Sequence, residues 1–142
     1  MIVVDASLAA KWVIWEADSL AALRFLRKYG RELTAPDLIF VEVAGAIVRR
    51  ANETKSLRDD ALVALDKWSV SWRDHAIAAH RVTQRHVFEA GRLAVEIAHS
   101  LKDCIHLVLA IELEADLATC DERFRDRATD VWPRIWLLSD YG

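Results

Sequence analysis

The sequence is short of most features that would mark a secreted, membrane or fibrous protein. Its two cysteines, Cys104 and Cys120, are too few for a disulfide framework, so a reducing cytoplasm is the expected compartment. Two prolines and four glycines in 142 residues leave no room for a turn-rich linker or a low-complexity tract. No apolar run approaches the roughly 20 residues that a membrane helix needs, and no membrane association is expected. The opening "MIVVDAS" has no basic segment and reaches an acid at once, unlike a secretory leader. Basic charge is not in excess either: 19 Lys and Arg against 22 Asp and Glu give a net charge of −3. That balance argues against nucleic-acid binding by broad electrostatics. A phosphate substrate would need another means of attraction, and a metal ion is the obvious one.

What is present describes a folded globular chain, with 54% hydrophobic and 29% charged residues. The expectation is one domain over residues 1–142 with a substantial core. "MIVV" reads as a strand buried on both faces. A helical pattern follows from Ser7 and takes in Trp12 and Trp15. A second helix spans Asp18 to Tyr29, with Asp18 as capping acid and Gly30 as the stop. "ELTA" is the next strand, after which Pro36 stands where a helix carrying "DLIFVEVAGAIVRRAN" begins. "SLRD", Ser56 to Asp59, has the form of a capping box for a helix with Leu62, Leu65 and Trp68. A strand is expected near the end of Val70–Val82, and Thr83 is a cap for the helix carrying Val87, Ala90, Ala94 and Ile97. Then come a helix from Lys102 to Glu114 and strands at Leu117–Cys120 and Arg134–Leu138. Short apolar strands alternating with helices predict an α/β fold, a parallel sheet covered on both faces. In such sheets ligands bind outside the carboxyl ends of the strands.

Four acids sit where that rule points. Asp5 follows the first strand and Asp121 the fourth, while Asp103 opens a helix. Glu42 is the only charge between Leu38 and Val48. A buried lone carboxylate costs several kcal/mol, roughly, unless it is paired, and Gly45 and Ala46 on its face leave space for a partner. Taken singly, each acid has a plainer reading as helix cap or turn residue. Four at topologically related positions are harder to dismiss.

These residues carry a resemblance to the PIN-domain ribonucleases, and specifically to the VapC-type toxins of toxin–antitoxin pairs. "VVDASLAAKWVIWE" resembles the opening Asp motif, "APDLIFVEVAGAI" the turn leading to a helical Glu, and "LKDCIHLVLAIELEADLATCDERF" the third and fourth acids. Each motif is weak alone; their order over nearly the whole chain is specific. The resemblance implies a PIN-like three-layer α/β/α sandwich with a short, mainly parallel central sheet. It implies catalytic, metal-binding carboxylates at Asp5, Glu42, Asp103 and Asp121, with Ser7 and Thr119 supporting them. It further implies Mg²⁺ or Mn²⁺ as cofactor, since hard oxygen ligands select such ions. The reaction would be hydrolysis of RNA phosphodiesters by metal-activated water. A VapB-type antitoxin and a homodimer are the implied partners. Two departures stand out: Gly45 replaces a common Asn, and Lys102-Asp103-Cys104 replaces a commoner Tyr-Asp-Ala.

Lys11, Arg123 and Arg125 are candidate RNA contacts, the last two because they follow Asp121 closely. Cys104, His106 and Cys120 match no compact zinc motif. Cys120, on a strand, is expected to point into the core. His106 shares the helix face of Asp103 but reads first as a packing or surface residue. Six tryptophans are many for this length; core packing explains most of them, and an exposed apolar groove for a partner would take the rest. The competing reading is a non-catalytic PIN-like interaction or RNA-binding module, which the presence of all four acids disfavours. A small-molecule phosphohydrolase is disfavoured by the lack of a Gly-rich phosphate loop or a first-strand Asp-x-Asp.

Overall fold

The computed structural model describes residues 1–74 and 77–142. Its five strands are β1 (Ile2–Val4), β2 (Leu33–Pro36), β3 (Ala78–His80), β4 (Asp116–Thr119) and β5 (Ile135–Leu137). They lie in the order β3-β2-β1-β4-β5, and every pairing is parallel. Parallel neighbours cannot be joined by tight hairpins and need crossovers. Helices α1 (Ala6–Ala9) and α2 (Ser19–Tyr29) connect β1 to β2, and α3 (Leu38–Glu53) and α4 (Arg58–Arg73) lie between β2 and β3. The chain then returns through α5 (Gln84–Ile97) and α6 (Leu101–Glu112) to β4, and α7 (Glu122–Ala128) leads to β5.

The walk across the sheet reverses direction at β1. With crossovers of one hand, that reversal puts the first four helices and the last three on opposite faces. The core follows suit. Ile2 and Val4 pack with Leu8, Phe25, Ile39, Val43 and Trp68, whereas Val3 and Leu117 pack with Leu107, Leu109 and Phe124. The period-2 alternation of the strands thus feeds two separate apolar layers. The result is the expected α/β/α sandwich, with a sheet that is parallel throughout.

Local readings needed correction where tertiary contacts override propensity. The helical pattern from Ser7 does not reach Trp15: α1 ends at Ala9, a 3-10 turn covers Ala10–Trp12, and Trp15 is 70% exposed. Trp12 instead turns its indole N–H onto the Ala22 carbonyl, 3.0 Å away. Asp18 stands at the N-cap of α2 without bonding it, because it pairs with Lys11 at 2.8 Å. Gly30 does stop α2, keeping right-handed helical angles and opening a 3-10 turn, Gly30–Glu32. Pro36 closes β2 instead of opening α3. The capping box at Ser56–Asp59 does not form; Lys55–Leu57 is a 3-10 turn and α4 has no side-chain cap. Thr83 does cap α5, exchanging hydrogen bonds with His86.

Candidate active site

The sheet's order reverses between β1 and β4, and the carboxyl ends of these two adjacent strands open a crevice at that switch point. Each strand feeds directly into a helix, and a new helix needs an acceptor for its first amide groups. Asp5 serves α1, its Oδ1 accepting the Leu8 N–H at 3.2 Å. Asp121 serves α7, its Oδ1 accepting from Phe124 at 2.9 Å. Both acids are helix caps, and each keeps a second oxygen for other work.

Asp5 uses that oxygen in a buried network. The Thr119 hydroxyl donates to its Oδ2 at 2.5 Å, and the Ser7 hydroxyl donates to Oδ1 at 2.7 Å. Thr119 also accepts the Asp121 N–H at 3.0 Å, and Ser7 accepts the Cys120 N–H at 2.9 Å. Ser7 and Thr119 therefore stitch the end of β1 to the end of β4. Asp5 is 1% exposed. Burial pushes its carboxyl above the usual range, against the opposing pull of the His106 charge, the two hydroxyls and the Leu8 amide.

Glu42 projects from α3 and meets His106 of α6, its Oε1 lying 2.6 Å from Nε2. His106 is fully buried. Burial alone would favour the neutral ring, but the Glu42 hydrogen bond and charge, with Asp5 and Asp103 nearby, outweigh it and hold the pKa above its ordinary value. His106 is thus neither a surface residue nor mere packing. It offers the lone helical carboxylate its compensating partner. Glu42 faces open space on its other side, where a Cβ added to Gly45 would meet nothing within 4 Å.

Asp103 lies in the first turn of α6, which begins at Leu101 and is capped by Ser100, so Asp103 is not the cap. Its Oδ2 is 2.6 Å from His99 Nε2, and that nitrogen is 3.9 Å from Asp121 Oδ2. One ligand atom from each of His99, Asp103 and Asp121 falls within 4.8 Å of the others. Bonds of about 2.1 Å place opposite ligands of one cation about 4.2 Å apart, so slight closure brings all three onto a single ion. The donor chemistry of this cluster therefore fits a divalent metal.

A cleft of about 1020 Å³ covers these groups, with Glu42, Asp103 and Asp121 on its walls beside Ser7, Gly45 and Lys102. Asp5 lies beneath it. Arg49 and Arg123 reach the same cleft with no ion-pair partner among the described residues. Lys11 is differently engaged, held by Glu16 at 2.7 Å and Asp18 at 2.8 Å. Arg125 pairs with Asp126 at 2.9 Å and lies outside the cleft lining.

Cys120 packs against the first apolar layer, as expected, but does not enter it fully. It sits one residue past β4, half-buried at the edge of the cleft, with its amide tied to Ser7. Burial pushes its thiol up to about 12 and that of Cys104 up to about 11. Such thiols stay protonated in the metal-free protein, and neither belongs to a metal-ligand cluster among the described residues. Sequence reasoning also missed His99. The available signal was its position four residues before Asp103, just ahead of the Ser100 cap.

Comparison with known proteins gives this geometry a setting. The family model for the PIN domain matches residues 2–129. No curated protein matches the sequence. The crystal structure of PAE2754 from Pyrobaculum aerophilum superposes with a TM-score of 0.70 at 19% identity, covering 99% of this chain and 90% of that one. At that identity the likeness speaks for the fold.

Proposed function

The chain belongs to the PIN domain family, whose members are generally nucleases, and from that premise we propose that it is a Mg²⁺- or Mn²⁺-dependent endoribonuclease. The observation that carries the proposal is convergence: acids from four separate elements meet at one switch point, three lining a cleft and the fourth beneath it. In this reading Asp103 and Asp121 hold the cation directly, and Asp5 and Glu42 act on its water shell, because Mg²⁺ takes few direct carboxylates and keeps several waters. The cation, when bound, neutralises phosphodiester oxygens and lowers the pKa of the water it coordinates.

The remaining work falls to side chains. Ser7 and Thr119 fix the Asp5 carboxylate and the start of α7, which sets where Asp121 points. His106 holds Glu42 at the cleft wall. Arg49, Lys102 and Arg123 supply positive charge at the rim for phosphate groups. No Ser or Cys nucleophile is needed.

We extend the proposal to biology. The chain acts as the toxin of a VapBC-type pair in the cytoplasm, as a homodimer held in check by a small VapB-type antitoxin. Two apolar grooves favour a protein partner of this kind. One, of about 460 Å³, is lined by Trp12, Leu23, Leu26, Trp68 and Trp72; the other, of about 400 Å³, includes the exposed Trp15. An antitoxin arginine entering the acidic cleft would compete with the cation there. Among the described residues no helix is long and apolar enough to cross a membrane.

RNA cleavage with Mg²⁺ or Mn²⁺, with EDTA, and with Asp5→Asn and Asp121→Asn tests the activity. Each replacement should cost at least the roughly 10–100-fold that outer-shell partners of metal ligands cost. Undiminished cleavage by both variants would refute the assignment.

A further inference from the structure

The acid cluster contains a nitrogen donor that the carboxylate reading does not use, and resting on that reading we propose that His99 is a direct ligand of the bound cation, making the centre a mixed nitrogen–oxygen site selective for transition-metal ions over Mg²⁺. His99 occupies the short connection between α5 and α6. Ala98 just before it adopts left-handed angles, with φ of 54°, which turns the chain sharply toward the crevice. The Ala98 carbonyl accepts from the Arg127 guanidinium of α7, which ties the turn to the helix that Asp121 caps. The imidazole itself lies nearly flat on Phe124, centroids 4.9 Å apart and planes 11° off parallel.

That packing leaves the ring one outlet. The side chain is 9% exposed, and Nε2 is the atom aimed at Asp103 and Asp121. Without a cation the Asp103 carboxylate, which can only accept, holds the ring proton on Nε2, while Nδ1 is buried without a hydrogen-bond partner. Once the Asp103 oxygen rotates onto the ion, the proton shifts to Nδ1, which no other protein contact opposes, and Nε2 presents its lone pair. His106 cannot replace it, since it is fully buried and its ring falls outside the cluster of ligand atoms that His99, Asp103 and Asp121 form. Imidazole raises affinity for later first-row ions, whereas carboxylate and water alone suit Mg²⁺.

Mn²⁺ is the probe, because electron spin-echo modulation reports nitrogen bonded to it without any need for turnover. Mn²⁺-loaded full-length protein should show ¹⁴N modulation that changes when all histidines carry ¹⁵N, a test requiring no mutation. His99→Gln should abolish the signal and weaken Mn²⁺ roughly tenfold, with Mg²⁺ affinity changed less than about threefold. His106→Gln should keep the signal. Mn²⁺ bound without nitrogen modulation, or modulation surviving in His99→Gln, overturns the inference while leaving the metal-dependent nuclease reading intact. Mn²⁺ binding that is absent, or equal in wild type and Asp121→Asn, overturns both.

Discussion

Replacing Thr119 with Val tests the buried floor of the site most directly. The two side chains have nearly the same shape, so Thr119→Val removes a hydroxyl without opening a cavity, although the swap is not electrostatically neutral. Two interactions disappear together. Asp5 Oδ2 loses its 2.5 Å donor, and the Asp121 N–H loses its 3.0 Å acceptor. Thr119 is fully buried and Asp5 is 1% exposed, so water cannot readily replace the bond to Asp5, and the Asp121 N–H sits on a half-buried residue at the cleft. A hydrogen bond to an ionisable group contributes about 1.5–3 kcal/mol, and an orphaned buried N–H costs about 1–3 kcal/mol. A combined loss of about 3–4 kcal/mol is expected. With an unfolding entropy of about 0.3 kcal/mol/K for a chain of this size, the Tm should drop by about 10–13 °C. Urea denaturation gives the free energy and calorimetry the Tm. Thr119→Ser is the control, keeping the hydroxyl and losing one buried methyl at about 1 kcal/mol. If Val destabilises no more than Ser, the hydroxyl does not hold the floor and the reasoning fails.

The metal-free protein should lose stability as pH rises above the ordinary histidine value of 6.5, because the raised pKa of His106 means its contribution is complete below that value and is lost as pH passes through the folded pKa. Denaturant titrations from pH 6 to 9 should show this slope in wild type and its flattening in His106→Gln; equal slopes would sink the ion-pair account. Asp5, also raised, adds a slope of the same sign at lower pH, above its ordinary 3.8. At a hundredfold excess over its Kd, Mn²⁺ should stabilise wild type by about 2.7 kcal/mol and leave Asp121→Asn almost unmoved in a thermal melt. Gly45→Ala should gain up to about 1 kcal/mol in chemical denaturation, since it fills a mid-helix position whose new Cβ meets nothing within 4 Å; a loss would contradict the open space. Arg123→Ala should flatten the salt dependence of single-stranded RNA binding by about 0.7 in log–log slope, whereas Arg125→Ala, already paired with Asp126, should change it little.

Four strands were legible to within a residue or two because each is a short apolar run between helices, and a parallel sheet buries both faces of such runs; β3, the largely exposed Ala78–His80, offers no such run and was placed only near the end of Val70–Val82. Thr83 was legible as a cap because its partner, His86, lies three residues away. The errors share one cause. Lys11 draws Asp18 away from the helix it should cap, and Trp12 bonds to a carbonyl ten residues on. His106 became a site residue only through Glu42, 64 positions earlier. Glu42 itself advertised a partner by being a lone charge on an apolar helix, but nothing in the local pattern said which residue would answer. His99 lay in a connection, where helical periodicity carries no information about direction.

The opposition between ordinary caps and site acids dissolves in the geometry. A parallel sheet sends each strand into a helix at one edge, and every such helix start favours a short acid. The fold thus places carboxylates around its own crevice for reasons of stability alone. Capping occupies one oxygen: Oδ1 of Asp5 for Leu8, Oδ1 of Asp121 for Phe124. The second oxygens separate structure from chemistry. Oδ2 of Asp5 is buried against Thr119, a cost that helix capping alone does not require. Oδ2 of Asp121 is left toward the cleft, 3.9 Å from an imidazole that already holds Asp103. A chain selected only for stability could keep both caps with the uncharged amide of asparagine. Keeping buried and crowded negative charge makes physical sense if a cation is to be drawn there.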